Sequence, residues 1–369
     1  MITSFFSLAI YLNSLFCLKH FLKSVMINNF KIVLYSGSNI SLVIIMLSTF
    51  EKSNQSFTAV IMSCILFGIT GIFVREIEGM EAGSILFYRA FFGFAVVLGY
   101  LAIFGKTKKV QLTQKKFYMF LLGVLNAITM FTYFFAIRQL GIPVAVLLLY
   151  TAPIYVTLLS PLLLKNRVTA LDVLALTLSI SGILLAINPL NYCGIAALED
   201  RYYIIGILLG LISGLSYGCS IMTMNYLKES YSAVEQMFWS TAVTLILLFP
   251  FGISVSGPAL LKNLELLIPL GVIAAALASL TYFRGLARIK AQTAAVVSLL
   301  EPVSTICFCC MLLGEPLQSN TINGCLFILA GAALIGSSDS IQPGVYEKYF
   351  RDTWARFFQP YMPLRPGKL

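Results

Sequence analysis

Two ionisable residues stand inside long apolar stretches of this sequence, and they are the first candidates for chemistry. Glu301 lies in the stretch AVVSLLEPV and precedes Pro302, which has no backbone N–H and leaves a carbonyl one turn earlier without its helical partner. Arg89 lies in the stretch LFYRAFFGF. A carboxylate in such a place can bind an amine or carry a proton, and a guanidinium can bind a carboxylate. The alternative is that the two charges neutralise one another, or nearby carbonyls, and only fix the packing.

A second group of candidates is aromatic or polar. Such side chains can line a cavity that accepts amphipathic metabolites, and they can equally form hydrogen bonds between helices or sit in an interfacial belt. The group comprises Asn126, Tyr133, Tyr150, Tyr217, Trp239, Tyr282 and Ser298. Tyr133 and Tyr282 have the stronger claim, because the internal repeat of the chain pairs them.

Composition sets the kind of element that must position these residues. Hydrophobic residues make up 59% of the 369 residues and charged residues 11%, whereas soluble domains contain about 45–50% and about 25%. The mean hydropathy of +0.90 agrees. These values exclude a water-soluble globule, a nucleic-acid-binding domain, a disulfide scaffold and a disordered chain. The sequence therefore predicts a membrane protein of many spans.

The spans are predicted to be helices. A bilayer core needs about 20 apolar residues per helix, whereas transmembrane strands give weaker, alternating segments. Ten windows qualify, namely 57–74, 82–104, 117–137, 143–164, 171–187, 202–224, 233–254, 264–283, 291–313 and 320–337. The links between them are too short for a soluble catalytic or nucleotide-binding domain.

The distribution of Lys and Arg in the links predicts the orientation. One set of links carries eleven, namely Lys106, Lys108, Lys109, Lys115, Lys116, Lys165, Arg167, Lys228, Arg284, Arg288 and Lys290. The other set carries four, namely Arg75, Arg138, Arg201 and Lys262. Because basic residues favour the cytoplasmic side, both termini are predicted to be cytoplasmic. The net charge of +10 is interpreted in the same way, as loops beside an anionic leaflet.

Both ends of the chain fall outside the pattern of spans. Residues 1–55 form an N-terminal extension, interpreted either as an interfacial segment or as untranslated sequence before a start at Met26 or Met46. Residues 338–369 form a tail with aromatic residues at helical spacing and basic residues between them. That pattern predicts an amphipathic helix on the cytoplasmic leaflet.

An internal repeat divides the spans into two halves, residues 56–190 and 200–337. A shift of 149 residues pairs Pro153 with Pro302, and one more residue of shift pairs Gly68 with Gly218. The same 149-residue shift also places Thr132-Tyr133-Phe134 on Thr281-Tyr282-Phe283, Ala145 on Ala294, Leu163 on Leu312 and Gly182 on Gly331. Each half has five spans, so the second copy enters the membrane from the opposite side. The predicted fold is an all-α integral membrane protein of ten helices in two inverted five-helix repeats, a build typical of secondary transporters.

These residues resemble the EamA-type members of the drug/metabolite transporter superfamily. The resemblance rests on Ala294–Pro302, on Leu312–Leu317, on the first-half counterpart Ala145–Pro153 and on Arg89, and it covers about residues 57–337. It implies ten helices in two repeats, eight of them around a central cavity, and it implies export. The sequence departs from the family at Asn166, where an acidic residue is common.

The leading hypothesis is a secondary transporter that exports a small organic metabolite, such as an amino acid or a related compound, across the cytoplasmic membrane. The driving force is a proton gradient or the substrate gradient itself. Its expected partners are this substrate and the lipid bilayer, with no nucleic acid and no cofactor, and the oligomeric state is left open. Substrate binding or coupling is assigned to Glu301, Arg89, Tyr133, Tyr282, Tyr150, Ser298, Trp239 and Tyr217.

Three alternatives remain open. Within the superfamily, a sugar-phosphate or nucleotide-sugar carrier would favour several Lys or Arg in the spans, where only Arg89 stands. A membrane-embedded enzyme would need paired carboxylates or metal-binding histidines at one interface, and the single histidine is His20. A sensor or scaffold would bind a ligand without moving it.

Overall fold

The computed structural model describes residues 55–103, 110–112, 114–164, 168–187, 201–314 and 318–340. Within these residues all regular structure is helical, and ten helices are long and apolar enough to cross a membrane. They are α1 Ser56–Glu76, α2 Ala82–Ile103, α3 Lys116–Leu140, α4 Ile142–Leu163, α5 Ala170–Ile187, α6 Arg201–Leu227, α7 Ala233–Ile253, α8 Gly257–Leu286, α9 Ala291–Leu312 and α10 Ser319–Gly336. The predicted ten-helix fold is confirmed.

Several sequence predictions lie outside the described residues. These are the extension before residue 55, the amphipathic tail after residue 340, Asn166, Glu315 and the basic residues Lys106, Lys108, Lys109, Lys165 and Arg167. The described residues up to Ile306, and again from Gln318, belong to one compact unit. The end of α9 from Cys307 belongs to another, and only its own helix is described.

Successive spans run in opposite directions, so the odd-numbered helices all begin at one face of the protein. We call this the start face and the opposite one the far face. The described basic residues at the links of the start face are Lys115, Lys116, Lys228, Arg284, Arg288 and Lys290. Those near the far face are Arg75, Arg138, Arg201 and Lys262.

Helix α8 begins earlier than its hydropathy predicts. The predicted window starts at residue 264, but the helix starts at Gly257, because Lys262 and Asn263 interrupt the apolar run without ending the helix. Lys262 Nζ lies 2.8 Å from Glu78 Oε2 in the α1–α2 link, and this cation holds the pKa of Glu78 below its usual range. The buried Asn263 amide donates to the Glu78 carbonyl over 2.8 Å. These polar residues therefore fasten α8 to the α1–α2 link.

Helices α4 and α9 are both interrupted at the same repeat position. Each break ends two or three residues before a proline, Pro153 or Pro302, which has no backbone N–H to donate to the preceding turn. The helical parts are Ile142–Leu149 and Ala152–Leu163 in α4, and Ala291–Val297 and Leu300–Leu313 in α9. The repeat seen in the sequence is thus visible in the backbone.

Helix α8 contains a stretch of wide turns, the π-helix Gly271–Ala278, which joins the α-helices on either side without a break. Here α8 crosses α2 so closely that a Cβ on Gly93 would lie 3.1 Å from the Gly271 carbonyl oxygen. A Cβ on Gly271 would lie 3.0 Å from the Arg89 carbonyl oxygen. The two glycines let the backbones meet one turn from the Arg89 side chain.

The spans pack in two groups that the repeat exchanges. Helices α1 and α2 both pack on α8, and we call these three the first group. Helices α6 and α7 both pack on α3, their repeat equivalent, and we call these three the second group. Helix α2 meets α7 between the groups, α4 packs on α6, and α5 pairs with α10. A carrier that opens to either side needs two such equivalent bodies.

Helix α6 carries a glycine stripe at four-residue spacing, made of Gly206, Gly210, Gly214 and Gly218, and this spacing is typical of close helix packing. The stripe faces α4 and the end of α3, and a Cβ on Gly214 would lie 2.6 Å from the Leu148 carbonyl oxygen. Gly182 and Gly331 serve the contact between α5 and α10 in the same way, since a Cβ on Gly182 would lie 2.6 Å from the Gly324 carbonyl oxygen.

Candidate functional site

Glu301 stands where α9 is interrupted. It is in the first turn of the helix Leu300–Leu313, after the break at Ser298 and Leu299. Its N–H donates to the Ser298 carbonyl over 3.0 Å, and its own carbonyl accepts from Thr305 Oγ1 over 3.1 Å. The unpaired N–H groups of a first helical turn favour a nearby negative charge. The break therefore provides local support for a carboxylate in the middle of a span.

Phenol groups from four helices surround this carboxylate. The buried Tyr150 follows the first half of α4, and its hydroxyl lies within hydrogen-bonding reach of Glu301. Tyr133, Tyr217 and Tyr282, from α3, α6 and α8, are close enough to feel its charge. The helices that supply them belong to both halves of the chain, so the group is assembled only when the halves meet.

Ser298 gathers two of these tyrosines on the start-face side of Glu301. The Tyr282 hydroxyl lies 3.2 Å from Ser298 Oγ, which itself donates to the Ala294 carbonyl over 2.7 Å. Tyr217 reaches both Ser298 and Tyr282. Ser298 and Tyr282 are buried and Tyr217 is half-buried. Because a hydroxyl can both donate and accept a hydrogen bond, the hydroxyls of this cluster can bind a polar ligand.

Arg89 supplies a positive charge from α2. The guanidinium attracts Glu301, but the two side chains do not form a contact ion pair. Its Nε is buried and finds no hydrogen-bond partner in the part of the chain that the structure describes. A buried guanidinium donor without a partner is costly, so this atom is suited to receive an anionic group of a ligand.

No described interaction joins Asn126 of α3 to Glu301, and the same holds for Trp239. Trp239 lies on α7, where its ring packs edge-on against Phe238 with centroids 5.2 Å apart. Phe238 in turn packs on Phe94 of α2 with centroids 5.0 Å apart. The indole Nε1 is buried, again without a partner among the described residues. The other seven predicted residues come together around Glu301 or Ser298.

Sequence reasoning missed one residue of this region. Cys64 on α1 is buried, its Sγ donates to the Val297 carbonyl over 3.5 Å, and its thiol is close enough to feel the charge of Glu301. Its position one turn before Gly68, on a helix that meets α9 closely, is the signal that would have indicated it.

A comparison of the sequence with protein-family models identifies the family of this chain. Residues 54–188 and 204–337 each match the EamA-like transporter family, which accounts for both predicted repeats. The chain belongs to the EamA-like transporter family. It is therefore a membrane transporter of the drug/metabolite superfamily with a small-molecule substrate.

Individual relatives agree. The chain is 29% identical over 277 residues to an uncharacterized transporter of Archaeoglobus fulgidus, covering 75% of this chain and 94% of the relative. It is 25% identical over 216 residues to the pseudopaline exporter CntI of Pseudomonas aeruginosa, covering 58% and 72%. It is 24% identical over 129 residues to human solute carrier family 35 member G1, covering 35% of each chain.

A solved crystal structure has the same fold. It matches with a TM-score of 0.63 and 17% sequence identity, and the match covers 77% of this chain and 99% of that one. At this identity the likeness establishes the fold alone.

Proposed function

We propose that this transporter exports a small organic metabolite, an amino acid or a related compound, from the cytoplasm and couples export to protons. The observation that carries the proposal is the separated pair of charges in the middle of the spans. Arg89 and Glu301 attract each other, but the guanidinium Nε has no hydrogen-bond partner among the residues that the structure describes. A ligand with a carboxylate and an amine complements such a pair, with the carboxylate at Arg89 and the amine at Glu301.

Coupling follows if the substrate amine and a proton compete for one carboxylate. A protonated Glu301 loses its attraction for a cationic amine, and an amine bound to the ionised carboxylate excludes the proton. Each return of the empty site then carries a proton, while each outward passage carries substrate. Tyr150, Tyr217, Tyr133 and Tyr282 supply hydroxyls and aromatic faces for the remainder of the ligand, and Ser298 positions Tyr282. Trp239 is proposed to offer its indole Nε1, which has no partner among the described residues, to the same ligand.

In the proposed orientation the start face is the cytoplasmic face. The described links there carry the excess of Lys and Arg, which favours the side of the anionic leaflet. Both termini are then cytoplasmic and the membrane is the cell membrane. The relative from Pseudomonas aeruginosa that is named an exporter supports the outward direction.

Flux from proteoliposomes tests this function. Liposomes containing the purified protein are loaded with a mixture of amino acids, sugar phosphates and other metabolites, and release is compared with that from protein-free liposomes at two internal pH values. We expect selective, pH-dependent release of compounds that bear both an amine and a carboxylate. Selective release of sugar phosphates, or no release from protein shown to be folded and inserted, would overturn the proposal.

Glu301→Gln identifies the coupling group. This variant keeps the shape of the side chain but cannot ionise, so we expect pH-dependent release to be abolished while the protein still inserts. Glu78→Gln is the matched control, because Glu78 is an exposed carboxyl paired with Lys262 at the far face. Unchanged pH dependence in Glu301→Gln would remove Glu301 from the coupling role.

A further inference from the structure

A buried asparagine joins the two groups of helices at the start face. Asn225 lies in the last turn of α6, in the second group, and is 7% exposed. Its side-chain amide donates to the Ile289 carbonyl over 2.9 Å and to the Leu286 carbonyl over 3.4 Å. Both acceptors belong to the end of α8 and the link that follows, where carbonyls have run out of helical N–H partners. Both hydrogen bonds that the Asn225 amide donates are therefore made to the first group of helices.

The same face is closed around the beginning of α9. Every residue from Ala291 to Val297 is buried. The repeat makes this segment equivalent to Ile142–Leu149 at the far face, where only Val144 and Ala145 are buried and Ile142 is 64% exposed. The beginning of α9 is therefore more fully covered than its repeat equivalent at the far face. This inequality fits a start face that is closed more tightly than the far face.

The amide is not repeated at the other face. In the register that pairs Gly68 with Gly218, the partner of Asn225 on α1 is Arg75. At the far face, Ser84 Oγ and the Tyr88 hydroxyl of α2 donate to α7 carbonyls over 2.8 and 3.0 Å. Those bonds also join the first group to the second, but through the repeat partners α2 and α7. The side-chain amide that joins the groups at the start face thus has no asparagine counterpart in the repeat.

We infer that Asn225 is a positioning residue that latches the start face, and that this face opens only when both of its hydrogen bonds to the α8 end are broken. The inference rests on the chain being a transporter, and it holds whichever solute is carried. Loss of two buried hydrogen bonds favours the state in which they are already broken. A carrier without the amide should therefore spend more time open at the start face and less time open at the far face.

Two reporter cysteines measure this shift in the full-length protein. Ala291→Cys places a thiol in the closed segment at the start face, and Ile142→Cys places one at the equivalent position of the far face. Each is reacted with a water-soluble maleimide in lipid nanodiscs, and labelling of the reporter peptide is followed by mass spectrometry, which separates it from the native cysteines. We expect Asn225→Ala to raise the labelling rate of the start-face reporter about tenfold and to lower that of the far-face reporter.

Asn263→Ala is the matched control. Asn263 is also a buried asparagine whose amide donates to two carbonyls, those of Glu78 and Ala259, but all these residues lie in one group of helices. It should leave the labelling ratio of the two reporters unchanged. A folded Asn225→Ala protein with an unchanged start-face rate would overturn the inference. So would equal increases at both reporters, since these indicate local unfolding rather than an exchange of faces.

The failure of this inference is distinguishable from failure of the proposed function. Labelling needs no substrate, so a shift of labelling without any flux would refute the proposed export and keep the latch. Flux that depends on Glu301, together with unchanged labelling in Asn225→Ala, would do the reverse.

Discussion

The two halves of the molecule share a backbone plan but differ in their chemistry. Glu301 precedes Pro302, and its repeat partner before Pro153 is Ala152. When the first residues of α2 and α7 are aligned, Arg89 pairs with Ser240. Neither partner carries a charge, whereas Tyr133 and Tyr282 are retained in both halves. The breaks of α4 and α9 are also retained.

The difference indicates what symmetry is needed for. Two similar halves allow one site to open to either face, but one solute needs only one carboxylate and one guanidinium. A second buried charge would add a desolvation cost and no function. The surroundings agree, because Ala152 is fully buried and a glutamate at this position would have to displace its neighbours.

The largest effect on transport is expected when Arg89 of α2 is replaced by serine, the residue at the aligned position of α7. Arg89→Ser removes the guanidinium that binds the carboxylate, and we expect the rate of release at low substrate concentration to fall about 100-fold, as for loss of a strong charge-assisted hydrogen bond. Concentration dependence of flux is the measurement. Arg138→Ser, in the last turn of α3 at the far face, is the control and should transport normally. Normal flux in Arg89→Ser would show that the charge is only structural.

A smaller effect, on stability, is expected when Gly214 of α6 is replaced by cysteine, the residue at the paired position of α1. In the register that pairs Gly68 with Gly218, Gly214 pairs with Cys64. Gly214→Cys places a Cβ 2.6 Å from the Leu148 carbonyl oxygen, so α4 and α6 must separate. We expect the free energy of unfolding to fall by about 1–3 kcal/mol, measured as thermal unfolding in detergent. Gly257→Cys, where a Cβ meets nothing, is the control, and equal stability of the two variants would contradict the packing role.

The smallest effect compares the tyrosines that both halves keep. Tyr282→Phe loses the contact with Ser298, and we expect about a fivefold change in apparent substrate affinity, in keeping with one hydrogen bond of about 1 kcal/mol. Tyr133→Phe loses no such bond to a neighbouring serine, so it should change affinity less. The two variants are compared in the flux assay. A larger effect at Tyr133 would place the substrate nearer the far face.

Much of the fold was predictable from the sequence, because it depends on the number and length of the apolar windows and on the spacing between repeated residues. Ten apolar windows predicted the spans, and a shift of 149 to 150 residues predicted the repeat. The windows agree with the helices that the structure describes, apart from the start of α8. The start of α8 was not predictable, since hydropathy treats Lys262 and Asn263 as interruptions and cannot see that both bind the α1–α2 link. The wide turns of α8 were also hidden, because GVIAAALA is as compatible with ordinary helix.

Some of the functionally important residues could likewise be predicted from the sequence and others could not. Glu301 and Arg89 could be found from sequence because a charge within a span is costly and therefore conspicuous. Cys64 and Asn225 could not, because their residue types are ordinary in a helix. Their significance depends on which distant backbone they meet, Val297 for one and Leu286 and Ile289 for the other. That knowledge requires the assembled structure.

The wide turns of α8 set the rotational phase of its second half. Each residue of an α-helix turns the chain by about 100° and advances it by about 1.5 Å. Deleting one residue from Gly271–Ala278 would let that stretch close into ordinary helix, with everything after it rotated relative to everything before. Asn263 would still face the α1–α2 link, but Tyr282 would point away from Ser298. One helix can thus face two different neighbours because its winding changes between them.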